Sequence, residues 1–207
     1  MKKNKIILFD FDGVIVDSIG ISYAINKEWD VNLEYSRWQS WFEGNVYQGI
    51  DSYLVKEETQ IEFFKKYKVG LNDLLPVDGI GEVLKEINLM KYKLVIISSG
   101  SEKAIEDFLE KYNLKQYFIE IMARETHTSK VKKFVMILKK YKIKSNETLI
   151  VTDTIGDVKE AKEVKIKAIG VGWGVHEAKR LMENGADFIA EKPKDILIGV
   201  KKILTLN

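Results

Sequence analysis

Cysteine is absent from the 207 residues. That excludes disulfides, thiolate nucleophiles and Cys-ligated metals, and it leaves any bound ion to oxygen donors and to His127 and His176. Those two histidines fall on separate predicted loops and read as surface or packing residues. An excess of charge is missing too: 33 basic residues stand among 31 acidic ones, for a net charge of +2, so no field suits nucleic acid. Paired lysines (Lys65-Lys66, Lys132-Lys133, Lys139-Lys140, Lys201-Lys202) read as solvated helix faces. No apolar run is long enough to span a bilayer. Met1-Lys2-Lys3-Asn4 leads into a strand-like segment without a cleavable signal, so the expectation is a cytoplasmic chain that binds neither nucleic acid nor membrane. Internal repeats and low-complexity tracts are also lacking.

What is present suffices for a sizeable core, with 45% hydrophobic residues. Strand-like runs at 5–9, 93–98, 119–123, 148–151, 168–171 and 187–190 alternate with helical patterns at 79–90, 101–112, 130–141, 157–164 and 176–183. Strands alternating with helices predict βαβ units, hence an α/β fold with a Rossmann-like parallel sheet flanked by helices. The segment 18–77 breaks the alternation: it is helical in pattern and without a convincing strand. It reads as an inserted helical cap, with residues 1–17 and 78–207 forming the core domain. Leu75-Pro76-Val77-Asp78-Gly79 supplies turn and helix-start chemistry at the return. The insert is aromatic (Trp29, Tyr35, Trp38, Trp41, Phe42, Tyr47, Tyr53, Phe63, Phe64, Tyr67), and most of these rings are expected to pack the helices, with one or two lining a pocket.

Chemistry gathers where the apolar runs stop. The first strand discharges into Asp10-Phe11-Asp12-Gly13, and residues two apart on an extended segment share a face, so Asp10 and Asp12 can converge on one bound group while Phe11 points into packing. The run Leu94-Val95-Ile96-Ile97 ends in Ser98-Ser99-Gly100-Ser101, hydroxyls and amides able to hold an anion at a helix start. Thr128-Ser129-Lys130 opens a helix with a cation set against the macrodipole. A further apolar run, Leu149-Ile150-Val151, ends in Thr152-Asp153-Thr154-Ile155-Gly156-Asp157. Asp153 and Asp157 with Asp10 make an oxygen-rich site of the sort that binds Mg²⁺, since carboxylates at this density repel without a cation. Gly170-Val171-Gly172-Trp173-Gly174 is too late in the chain, and Trp173 too bulky, for a dinucleotide-cradling turn.

DFDGVIVDS, a strand ending in Ser98, a lysine at a helix start and TDTIGD, in that order, resemble the haloacid dehalogenase superfamily. Within it they resemble the phosphoglycolate phosphatase-like branch with a helical cap, and AIGVGWG at 168–174, Gly185-Ala186-Asp187 and Lys192-Pro193 extend the likeness. The resemblance implies a Mg²⁺-dependent phosphatase acting on a small phosphorylated metabolite, as a monomer or homodimer. It makes Asp10 the nucleophile and Asp12 the general acid and base. It assigns Ser98, Ser99 and Lys130 to the phosphoryl oxygens, and Mg²⁺ to Asp10, the Asp12 carbonyl and Asp153, with Asp157 acting through water or by orienting ligands. Two departures stand: no proline follows Lys130, so Lys132 and Lys133 remain alternatives, and Thr152 stands where relatives often carry Gly or an acidic residue. Asp17-Ser18 is expected to cap the following helix. A sugar phosphomutase and a catalytically silent binding protein are the competing readings. Arg37, Tyr47, Gln48 and Lys56 are the cap residues set against substrate.

Overall fold

A computed structural model describes residues 5–50 and 56–205, the side chain of Thr205 excepted. Tyr53 and the opening Met1-Lys2-Lys3-Asn4 lie outside the described residues. Strand β1 (Ile6–Phe9) is followed by four helices, α1 (Ile19–Trp29), α2 (Tyr35–Ser40), α3 (Val46–Gly49) and α4 (Glu57–Leu71). Alternation then begins: α5 (Ile80–Leu89), β2 (Lys93–Ile97), α6 (Glu102–Lys111), β3 (Phe118–Met122), α7 (Lys130–Tyr141), β4 (Thr148–Thr152), α8 (Ile155–Glu163), β5 (Lys167–Val171), α9 (Ala178–Glu183), β6 (Phe188–Ala190) and α10 (Pro193–Thr205). The six strands form one sheet in the order β3-β2-β1-β4-β5-β6, every pairing parallel.

β1 reads as an unbroken apolar run because both faces of the sheet are covered. Its four residues are buried, with Ile7 and Phe9 in one apolar layer and Ile6 and Leu8 in the other. The first layer takes α5, α6 and α10; the second takes α7, α8 and α9. Each such side chain contributes about 1.5–3 kcal/mol by leaving water. The sheet order reverses between β1 and β4, which is where an open parallel sheet opens a crevice at its carboxyl ends. Phe9 pairs with Val151, so the two strands end side by side.

The helical insert leaves and rejoins the sheet at a single seam. Val16 bridges antiparallel to Pro76, and the Val77 N–H donates to the Ile15 carbonyl at 2.9 Å. Leu33, Trp38 and Trp41 pack with Val175 from the loop after β5, giving the insert its own small apolar centre against that loop. The sequence reading contains no element after residue 190, whereas α10 closes one face. Pro193 occupies its first turn, and Ile196, Val200 and Leu204, fully buried at four-residue spacing, form its inner stripe.

Candidate active site

Asp10 extends the β1 ladder by one residue, its N–H donating to the Val151 carbonyl at 2.9 Å. The chain then folds on itself: the Val14, Ile15 and Val16 amides all point at the Phe11 carbonyl, and Gly13 N–H donates to Val16. Phe11 is buried edge-on against Phe108, with ring centroids 5.3 Å apart. Asp10 and Asp12 therefore both face the cleft, as their spacing predicts. They are held by different partners. Asp10 Oδ1 accepts from the Phe11 amide at 2.8 Å, whereas Asp12 Oδ1 accepts from Ser18 Oγ at 2.5 Å and from the Tyr67 hydroxyl. The expected cap at Asp17-Ser18 is thus only half present. Asp17 reaches the Ile19 amide at 3.4 Å, but the Ser18 hydroxyl is turned to Asp12 and makes no cap bond.

Lys130, at the first position of α7, crosses to the sheet, its Nζ 2.7 Å from Asp10 Oδ2 and 2.6 Å from Asp157 Oδ2. That explains a cation at a helix start. Thr152 Oγ donates to the same Asp157 oxygen at 2.7 Å, so the unexpected threonine orients Asp157. Asp153 lies between two backbone segments. Its Oδ2 accepts from the Val175 amide at 2.8 Å, and a Cβ on Gly13 or Gly174 would fall 2.0 Å from its side-chain atoms. Gly13 has φ +69°, a conformation glycine adopts without strain.

Burial pushes the Asp10 carboxyl well above the usual range; Lys130 opposes this, while Asp157 and Asp153 reinforce it. Burial likewise pushes Asp153 up, to about 7. Burial would raise Asp157 as well, but Lys130 and the hydrogen bonds around it outweigh that and hold it low. Burial would lower Lys130, but the two carboxylates hold it above the usual ammonium range. Asp10 and Asp157 thus share the Lys130 ammonium, while the third buried carboxylate, Asp153, keeps one oxygen, Oδ1, buried with no hydrogen-bond partner among the described residues. An orphaned oxygen amid excess negative charge fits a hard divalent cation such as Mg²⁺. The fit is for few protein ligands: among the described residues no three His, Asp or Glu side chains form a metal cluster, and one Asp157 oxygen is already engaged by Lys130 and Thr152.

Ser98 ends β2 fully buried, its Oγ accepting the Gly100 amide at 2.9 Å. Ser99 and Gly100 line the cleft itself. Lys132 is exposed and points elsewhere; Lys133 is fully buried, so its reading as part of a solvated face is incorrect. Its Nζ donates to the Ser98 carbonyl, behind the loop that Ser99 and Gly100 present. Burial, helped by Lys130, lowers it to about 8. His127 accepts the Ser129 amide in the loop before α7. His176 is fully buried and accepts the Ile155 amide at the head of α8; burial and Arg180 lower it to about 4, so it is neutral.

The insert roofs these groups, leaving a cleft of about 180 Å³. Seven of the insert's aromatic rings line it, from Trp38 to Tyr67, rather than the one or two expected. Packing and lining prove compatible: Trp38 meets Phe42, and Phe63 meets Phe64 and Tyr67, while these same rings line the cleft. Tyr47 is among them, its hydroxyl on the Ser99 carbonyl at 2.7 Å. Arg37, Gln48 and Lys56 are not: Gln48 and Lys56 are exposed, and Arg37 is 3.7 Å from Asp30.

The family of haloacid dehalogenase-like hydrolases matches residues 7–171 of the chain. A phosphoglycolate phosphatase of Synechococcus elongatus is 24% identical over 96% of this chain and 98% of that protein. One of Aquifex aeolicus is 27% identical over 93% and 95%. Among solved structures, a predicted phosphatase from Clostridium acetobutylicum superposes with a TM-score of 0.79 at 22% identity, covering 96% of this chain and 99% of that one.

Proposed function

The chain belongs to the haloacid dehalogenase-like hydrolase family, and from that premise and the site's geometry we propose that it is a Mg²⁺-dependent phosphatase of small phosphomonoesters, with Asp10 as nucleophile. One observation carries the reading: Asp10 and Asp12 stand at the same cleft in two different hydrogen-bonding environments. Asp10 has one oxygen on the Phe11 amide and the other on the Lys130 ammonium, contacts that would aim the carboxylate at phosphorus in the cleft. Asp12, two residues on, has one oxygen fixed by Ser18 and Tyr67, and the other would deliver a proton to the departing ester oxygen. Microscopic reversal of that proton transfer lets Asp12 take the proton of the water that opens the aspartyl phosphate. The carboxylate at position 12 favours phosphoryl chemistry, in which the leaving oxygen needs a proton.

The Asp10 and Asp153 carboxylates and the Asp12 carbonyl would hold Mg²⁺, with Asp157 orienting Lys130. When bound, the ion offsets the charge of the carboxylates and of the phosphoryl group. Lys130 would share that task, and the Ser98–Gly100 turn would supply further donors. The mutase alternative requires a grip on a second phosphate, and among the described residues the insert's side of the cleft offers no cationic side chain. The relatives are named for phosphoglycolate, a carboxylated ester that this cleft would have to seat with no cation on the described insert side. Phosphate release from p-nitrophenyl phosphate tests the proposal. It is expected with Mg²⁺ and lost with EDTA; release that is indifferent to EDTA contradicts it.

A further inference from the structure

We propose that the alcohol portion of the substrate is uncharged and bears a planar ring, seated against the aromatic wall of the insert and carrying no second anion. This rests on the phosphatase reading and names its substrate class. Two observations support it.

The first is the origin of the charge. Asp10, Asp12, Asp153, Asp157, Glu160 and Lys130 line the cleft, and all six come from the sheet side. Among the described residues, those lining it from the insert include no charged side chain. Among the described residues Lys130 is the one cation lining the cleft, and it is already bound to two carboxylates. A carboxylate on the leaving alcohol would find no cation on the insert wall and would share the cleft with Glu160, and an anion buried without a partner is strongly disfavoured. The neighbouring guanidinium, Arg124, does not line the cleft. It donates to Gln60 Oε1 at 3.3 Å and lies 4.4 Å from the centre of the Phe64 ring, held by two residues of the wall.

The second is the wall's order. Phe63 meets Phe64 edge to face at 5.3 Å and stacks on Tyr67 at 5.9 Å and 16°. Tyr67 is in turn fixed to Asp12, and Tyr47 across the cleft is fixed to Ser99. Rings held this way lose little freedom when a further ring joins them, which suits stacking against a planar group. With their hydroxyls already engaged, Tyr47 and Tyr67 offer the cleft ring atoms more than hydrogen-bond donors.

The test compares benzylphosphonate with phosphonoacetate by calorimetric titration of the full chain in Mg²⁺, alongside hydrolysis of benzyl phosphate and 2-phosphoglycolate. Both esters have alcohol leaving groups, so chemical activation does not bias the pair toward the ring as it would for an aryl ester. Benzylphosphonate is expected to bind at least tenfold more tightly, and benzyl phosphate to have at least tenfold higher kcat/KM, expressed in KM. Phe64→Leu, which keeps an apolar side chain in place, is expected to shrink both ratios at least threefold. Equal or tighter binding of phosphonoacetate, binding of neither ligand at millimolar concentration, or ratios unmoved by Phe64→Leu overturn the proposal. If no ester is hydrolysed while the binding preference stands, the phosphatase reading fails and the ring preference survives.

Discussion

The two walls of one cleft are built from opposite materials. Among the described residues the sheet side presents five acids and one lysine, all but Glu160 at a strand end or in the first turn of a helix; the insert presents aromatic rings and neutral polar groups. The sheet side is rigid because Asp10 and Asp153 follow adjacent strands that pair residue for residue, so their separation is set by the β1–β4 register. The insert wall is set by ring packing within a few short helices joined to the core through the Val16–Pro76 seam. On the proposed function, chemistry that tolerates little displacement falls to the sheet, and recognition to the ring packing of the insert.

Breaking the sheet wall should have the largest effect. Asp10→Asn is expected to lower kcat on the order of 10⁴-fold or more for every ester, because an amide cannot form the acyl phosphate; an ester-dependent loss would blur the division. Gly174→Ala would set a Cβ 2.0 Å from the Asp153 Cβ. It should destabilise the fold by about 1–3 kcal/mol in denaturant titration and raise the Mg²⁺ needed for half-maximal rate.

Tyr67→Phe sharpens the comparison, since Tyr67 belongs to the insert but holds a sheet-side carboxylate. Losing one hydrogen bond to a charged group should cost about tenfold in kcat, alike for ring-bearing and small esters. An effect confined to KM of one ester would return Tyr67 to the recognition wall.

The smallest effect lies beneath both walls. His176 is held neutral down to about pH 4 in the fold, against about 6.5 in an unfolded chain. The unfolded chain binds more protons between those values, so stability should fall as pH drops from 6.5 toward 4. His176→Asn, which can still accept the Ile155 amide, should flatten part of that fall in melting temperature.

The sheet was legible because strands buried on both faces are written as continuous apolar runs, and the positions of Asp10 and Asp153 because they follow such runs. The final helix was missed because Lys192-Pro193 reads as a loop, although Ile196, Val200 and Leu204 carry its periodicity. Lys130 and Lys133 are one turn apart and share a face, so sequence alone does not separate them; in the fold the first meets two carboxylates and the second a carbonyl. That Phe134 and Ile137 continue the same buried stripe is the signal that Lys133 faces inward. The bonds from Ser18 and Tyr67 to Asp12 have no local signature, since Tyr67 is 55 residues from its partner.

The most direct test is to quench turnover of p-nitrophenyl phosphate with acid, reduce with borohydride and map the peptides by mass spectrometry. The account predicts conversion of Asp10 to homoserine in Mg²⁺ and none in EDTA. Steady turnover with Asp10 unmodified, or modification at another carboxylate, would contradict it.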